Sequence, residues 1–222
     1  MTVRPAGRVT SLLDGPSGLL EFITTGSGLP ATVFAHGVNG SIETTRPFGS
    51  GVTGSRTFLH FRGYGASADP EMPLTYAALA DELRAVADHV GATQALGVSM
   101  GAGALCALVA HTPLRFERLV FVLPAVLDRP RTDDSLKHLA LSAAVPVTDR
   151  AVLAAVTMPA LVIANELDPE HPVWVAEQLA ASLPDARLEV LPPGGILIRH
   201  RRAIRNLIGG FLSGEECEGD HV

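Results

Sequence analysis

Apolar runs of strand length alternate along this chain with longer stretches whose apolar positions recur at helical spacing, the pattern of a mainly parallel sheet wrapped by helices. Runs rich in Val, Leu, Ile and Phe predict strands at residues 19–24, 31–35, 57–61, 95–98, 119–123, 160–164 and 187–191. Helical spacing predicts helices at 76–90, 102–110, 149–156, 172–182 and 199–212, with Thr75 as N-cap of the first. The connection from 123 to 160 carries Pro124, Pro130, Pro146 and Pro159 and has room for a helix or two, at 133–144 and 150–156, but not for a large lid. The predicted class is therefore α/β, one domain over 1–214 with no large cap domain, followed by an acidic tail at 215–222 expected to fray.

Composition narrows the partners. The chain has 222 residues, 47% apolar, enough for one sizeable core. A net charge of −6 offers no basic footprint for nucleic acid or for an anionic membrane, so neither is expected. Cys106 and Cys217 are the only cysteines, too few for a disulfide framework or a thiolate metal site. No apolar run reaches the roughly 18 residues of a membrane span, and the first eighteen residues hold no apolar signal core, so a cytoplasmic protein is expected. Arginine greatly outnumbers lysine, whose one instance is Lys137, a bias of GC-rich bacterial coding without mechanistic content.

The chemistry concentrates at Gly97-Val98-Ser99-Met100-Gly101, between an apolar strand and a small-residue helix. A strand turning sharply into a helix forces its central residue into a strained conformation and brings backbone so close that the flanking positions must lack Cβ atoms. Such an elbow raises the Ser99 hydroxyl clear of the sheet. A serine nucleophile then needs a neutral imidazole to take its proton, a carboxylate to orient that imidazole, and amide dipoles where negative charge develops.

With this elbow the chain resembles the α/β-hydrolase family, over about residues 19 to 212. Three further stretches carry the likeness. His36-Gly37, after a predicted strand, looks like the family's oxyanion segment, which implies the backbone amides of Val38 and Met100 as the oxyanion pair, with side chains free to vary. Arg62-Gly63-Tyr64-Gly65-Ala66-Ser67 is similar to a turn that marks the fold more than the reaction. Residues 161–168, ending Asn165-Glu166-Leu167-Asp168, look like the strand and loop that present the acid, which implies Asp168, with Glu166 and Asp128 as alternative carboxylates. An Asp before a helix also serves as a plain cap.

The family's histidine follows the last strand in a glycine turn, and here that turn reads Pro192-Pro193-Gly194-Gly195-Ile196. Isoleucine at 196 neither accepts nor donates a proton. His171, three residues after Asp168, is the preferred substitute base, and His200, a helical turn beyond Ile196, the alternative. His36, His60, His89, His111 and His138 are expected to be structural or solvent-facing, with His60 inside a strand. No metal-ligand spacing and no phosphate loop occurs, so no metal and no other cofactor is expected.

Two readings compete. One is a small serine hydrolase of esters, lactones or thioesters with Ser99, Asp168 and His171 as its catalytic set. The other is a non-hydrolytic protein that keeps the fold, as a ligand-binding or partner protein or a cyclase- or lyase-type catalyst. Both take a small acyl molecule as substrate or ligand. Trp174, on the helix after the acid loop, either packs in the core, the usual fate of such a residue, or faces the pocket entrance, and the sequence does not choose between them.

Overall fold

The computed structural model describes residues 10–69, 74–131, 141 and 144–215. Eight strands form one sheet: β1 (Ser11–Gly15), β2 (Gly18–Thr25), β3 (Ala31–Ala35), β4 (Ser55–Leu59), β5 (Gln94–Val98), β6 (Arg118–Val122), β7 (Ala160–Asn165) and β8 (Ala186–Leu191). Their spatial order is β1-β2-β4-β3-β5-β6-β7-β8. β2 pairs antiparallel with both β1 and β4, and the remaining pairs are parallel. The helices are α1 (Ile42–Thr45), α2 (Tyr76–His89), α3 (Met100–His111), α4 (Val173–Ser182) and α5 (Arg201–Ser213). Short 3-10 turns lie at Arg46–Gly49 and Arg150–Ala155.

Successive strand residues feed two separate cores, as period-two side chains in a doubly covered sheet must. Val33, Phe121 and Val162 face α2, α3 and α4, while Phe34, Val120, Val122 and Leu161 face α5 and the 3-10 turn at Arg46–Gly49. Ile204, Ile208 and Leu212 make a single stripe at i, i+4 and i+8 on α5, whose other positions are largely exposed. α3 is buried nearly all round and carries no charged residue before His111. Thr75 caps α2 as expected, its hydroxyl accepting from Ala78 N–H.

From β3 the chain crosses to β4 on one side and, through α2, to β5 on the other. The strand order reverses there, which opens a crevice beyond the carboxyl ends of β3 and β5, where open α/β sheets hold their ligands. His36-Gly37 leaves one of these ends and Ser99 the other.

Several expectations need correction. The predicted strand 57–61 is two residues too late, so His60 follows β4 instead of lying within it. The helix predicted at 149–156 is a 3-10 turn, and α3 begins at Met100, two residues earlier than its apolar pattern indicated. Trp174, whose burial the sequence left open, is 47% exposed on α4. β1 and α1 carried no periodic signal: β1 is an exposed edge strand, and α1 is one turn closed by a capping box between Ser41 and Thr44. The helix proposed at 133–144 lies outside the described residues except for Leu141 and Ala144, as do His138, Cys217 and nearly all of the acidic tail. No helix among the described residues is long and apolar enough to cross a membrane.

The Arg62-to-Ser67 turn is a brace. Arg62 pairs with Glu82 of α2, both fully buried in their side chains. Ser67 donates to His60 O and accepts from Glu21 N–H, while Ala66 N–H donates to the Glu21 carboxylate. Gly65 has φ +56°, and a Cβ there would stand 2.0 Å from His60 Nδ1, so only glycine closes the turn.

Candidate active site

Ser99 sits at φ 52°, ψ −110°, the strained backbone expected of an elbow. Its glycines answer two collisions. A Cβ at Gly97 would lie 2.3 Å from Gly101 O, and one at Gly101 would lie 2.4 Å from Ala35 O. Strand and helix can meet at this angle only where both positions lack side chains. Asn39, Leu123 and Leu167 share the positive φ. Asn39 and Leu123 line the same cavity as Ser99, and Leu167 precedes Asp168, so backbone strain gathers around one place.

The Ser99 hydroxyl oxygen is 2.9 Å from His171 Nε2, and His171 Nδ1 is 2.9 Å from Asp168 Oδ2. An ionised carboxylate only accepts, so Nδ1 carries the proton and donates to Asp168, and Nε2 offers its lone pair to the Ser99 O–H. Asp168 does a second job. Its Oδ1 accepts from Glu170 and His171 N–H, at 2.9 and 3.2 Å, tying the loop into a tight turn. One side chain thus closes the loop and meets the imidazole, whereas α4 itself starts after Pro172 with no side-chain cap. Sequence position 171 reaches position 99 because β7 and α4 deliver their connecting loop to the carboxyl edge of the sheet.

Ile196 stands where the resemblance led us to look for histidine. It is buried, lines the cavity and belongs to the apolar cluster that holds Ile204 and Ile208. It acts as wall. Asp128, Glu166 and His200 do not line the cavity. Asp128 lies 3.9 Å from Arg150, and His200 occupies the cap position of α5 with its Nε2 buried and unpartnered among the described residues.

His36 Nε2 accepts from Phe61 N–H at 3.1 Å, which puts the ring's proton on Nδ1, and that proton goes to Gly37 O at 2.7 Å. Gly40 N–H donates to the same carbonyl. In a trans peptide C=O and N–H point opposite ways, so pinning the Gly37 carbonyl turns the Val38 N–H away from His36. Val38 and Met100 both line the cavity, and among the described residues neither amide donates to a protein acceptor. Met100 opens α3, where the first-turn amides lack partners and the helix dipole is positive. Its side chain, expected to be free to vary, is 1% exposed in the core.

Burial lowers the His36 pKa from 6.5 to about 4, with the charge of His60 adding to it and the Gly37 bond opposing. The unfolded chain therefore binds a proton between those values that the folded chain refuses. Stability tied to neutral His36 is whole above pH 6.5 and drains as pH falls toward 4, by about 3 kcal/mol across the window. Urea midpoints measured from pH 7 to 4.5 should fall in the wild type and flatten in His36→Asn; equal slopes would contradict the assignment.

The cavity in front of Ser99 measures about 410 Å³ and is walled mainly by apolar side chains. No group of His, Cys, Asp and Glu able to hold a metal occurs among the described residues.

No protein-family model matches the chain, and no curated protein matches it in sequence. Solved structures do match. A carboxylesterase from Bacillus subtilis is similar at TM-score 0.80 and 17% identity, over 95% of this chain and 93% of its own. An esterase from Exiguobacterium antarcticum gives 0.77 and 17%, over 92% and 100%, and a haloalkane dehalogenase variant from Bradyrhizobium elkanii 0.74 and 17%, over 94% and 97%. One scaffold thus carries both esterase and dehalogenase names, and likeness at this identity speaks to the scaffold. Strand order, the elbow after β5 and these near-complete matches give this chain the α/β-hydrolase fold, with no large cap among its described residues.

Proposed function

We propose that the protein is a serine hydrolase that cleaves a small ester, lactone or thioester through an acyl-enzyme on Ser99, with His171 as base and Asp168 as its orienting acid. The observation that carries this reading is the chain of two 2.9 Å hydrogen bonds from Ser99 to His171 to Asp168 at the wall of an open cavity. In the reaction, His171 Nε2 takes the Ser99 proton as Oγ attacks the acyl carbon. The oxygen that gains charge meets the Val38 and Met100 amides, a pair of which each member is worth about 3 kcal/mol in hydrolases of this type. Protonated His171 then gives its proton to the leaving oxygen or sulfur, and a water repeats the sequence on the acyl-enzyme.

The non-hydrolytic reading drew on the loss of histidine at 196. An imidazole in contact with Ser99 from another loop removes that support. A fluorophosphonate probe provides the test: stoichiometric labelling in the wild type and none in Ser99→Ala is the expected result, and an unlabelled wild type would overturn the reading.

A further inference from the structure

We infer that the substrate carries a carboxylate besides its scissile acyl group, and that Arg131 is the side chain that reads it; this rests on the hydrolase reading above for the identity of the reacting group. Arg131 is the one permanently cationic residue among the described residues lining the Ser99 cavity, and Glu170, next to His171, is the one acidic residue. Much of the remaining lining is apolar, including Phe48, Val126, Ile196 and Leu197. A guanidinium beside such a wall loses hydration, and a carboxylate repays it with paired N–H···O bonds in the fork geometry that lysine lacks.

A second donor accompanies it. Tyr76 also lines the cavity, its ring packed so closely on Gly103 that a Cβ there would lie 2.2 Å from it. Burial pushes the Tyr76 phenol up to about 12 against the opposing pull of the Arg131 charge, so the hydroxyl keeps its proton and remains a donor within the field of Arg131. Glu170 is exposed to solvent and Arg131 half-buried, so inside the cavity one cation and one hydroxyl match a monoanion; a phosphate dianion would call for more positive charge than the described lining supplies. The apolar wall suits a short methylene chain between the two functional groups, and about 410 Å³ lies at the small end of ligand cavities. The fitting class is a half-ester of a short dicarboxylic acid, or an ester whose alcohol bears the carboxylate. Water converts either one to an acid and an alcohol with no other reactant. The chain's formal charge of −6 repels anions in general, so a preference for an anionic substrate would be a property of this cavity and not of the surface.

The test compares p-nitrophenyl hydrogen glutarate with p-nitrophenyl valerate, and 4-acetoxybutyrate with pentyl acetate, which place the carboxylate on the acyl and the alcohol side. In at least one pair kcat/KM favours the anion by about tenfold or more, and Arg131→Gln erases that ratio while Arg131→Lys keeps part of it. Equal rates within both pairs, or a preference that survives Arg131→Gln, would overturn the inference. Calorimetric titration of Ser99→Ala with monomethyl glutarate and methyl valerate reads the same preference without turnover. Tighter binding of the anion that is lost in Ser99→Ala/Arg131→Gln supports the inference, and equal or undetectable binding of both counts against it. Absence of labelling and turnover in the wild type would instead sink the hydrolase reading, and the calorimetry would still judge Arg131.

Discussion

His171→Ala lowers kcat/KM toward an activated ester by on the order of 10⁴-fold, equivalent to about 5.5 kcal/mol of transition-state stabilisation. The size follows from the geometry. Without the imidazole the Ser99 proton has no acceptor at 2.9 Å, and the leaving group no donor, although the oxyanion pair proposed at Val38 and Met100 would remain and leave residual catalysis. The loss should sit in kcat, since the ring contacts the nucleophile, and added imidazole should restore part of it. His200→Ala, whose ring is outside the cavity, leaves the rate where it is. A His171→Ala protein with wild-type turnover would show that Ser99 is activated otherwise or not at all.

Gly101→Val unfolds the protein or brings its stability down by at least about 3 kcal/mol, the upper range of core overpacking. The new Cβ would stand 2.4 Å from Ala35 O, 2.7 Å from Ala35 C and 2.8 Å from His36 O, all main-chain atoms at the end of β3. Neither side can give way. β3 is paired on both edges, and Gly101 lies in the first turn of the fully packed α3. Any relief pushes His36-Gly37-Val38 outward, so molecules that remain folded should label slowly at Ser99. Urea unfolding and probe kinetics check both effects; an unchanged midpoint would mean that strand and helix do not meet as described.

The elbow was legible because its signal is local. Gly97 and Gly101 are forced by backbone collisions within a few residues of Ser99, and such forcing leaves a mark at fixed spacing. The central parallel strands β3, β5, β6 and β7 were legible for a related reason, burial on both faces making them largely apolar. β1 escaped because an exposed edge strand needs no apolar pattern, and α1 because one turn has no period. The imidazole was the hard case. Whether position 171 or 200 reaches Ser99 depends on how the loops after β7 and β8 lie over the sheet, and no spacing encodes that. Asp168 and His171 could be named together only as neighbours in one loop. Arg131 carried no signal either, since a lone arginine in a proline-punctuated connection becomes part of a cavity only through the fold.

Housing acid and base three residues apart has an evolutionary corollary. In the arrangement that the glycine turn at 194–195 resembles, two separate loops must keep mutual register through every insertion and drift. On the function proposed above, one short loop between β7 and α4 carries both acid and base, and the segment from Pro192 to Arg199 has no part in proton transfer. Ile196 and Leu197 still wall the cavity, so their side chains are the natural place for laboratory libraries that retune substrate choice while leaving Ser99, His171 and Asp168 in place.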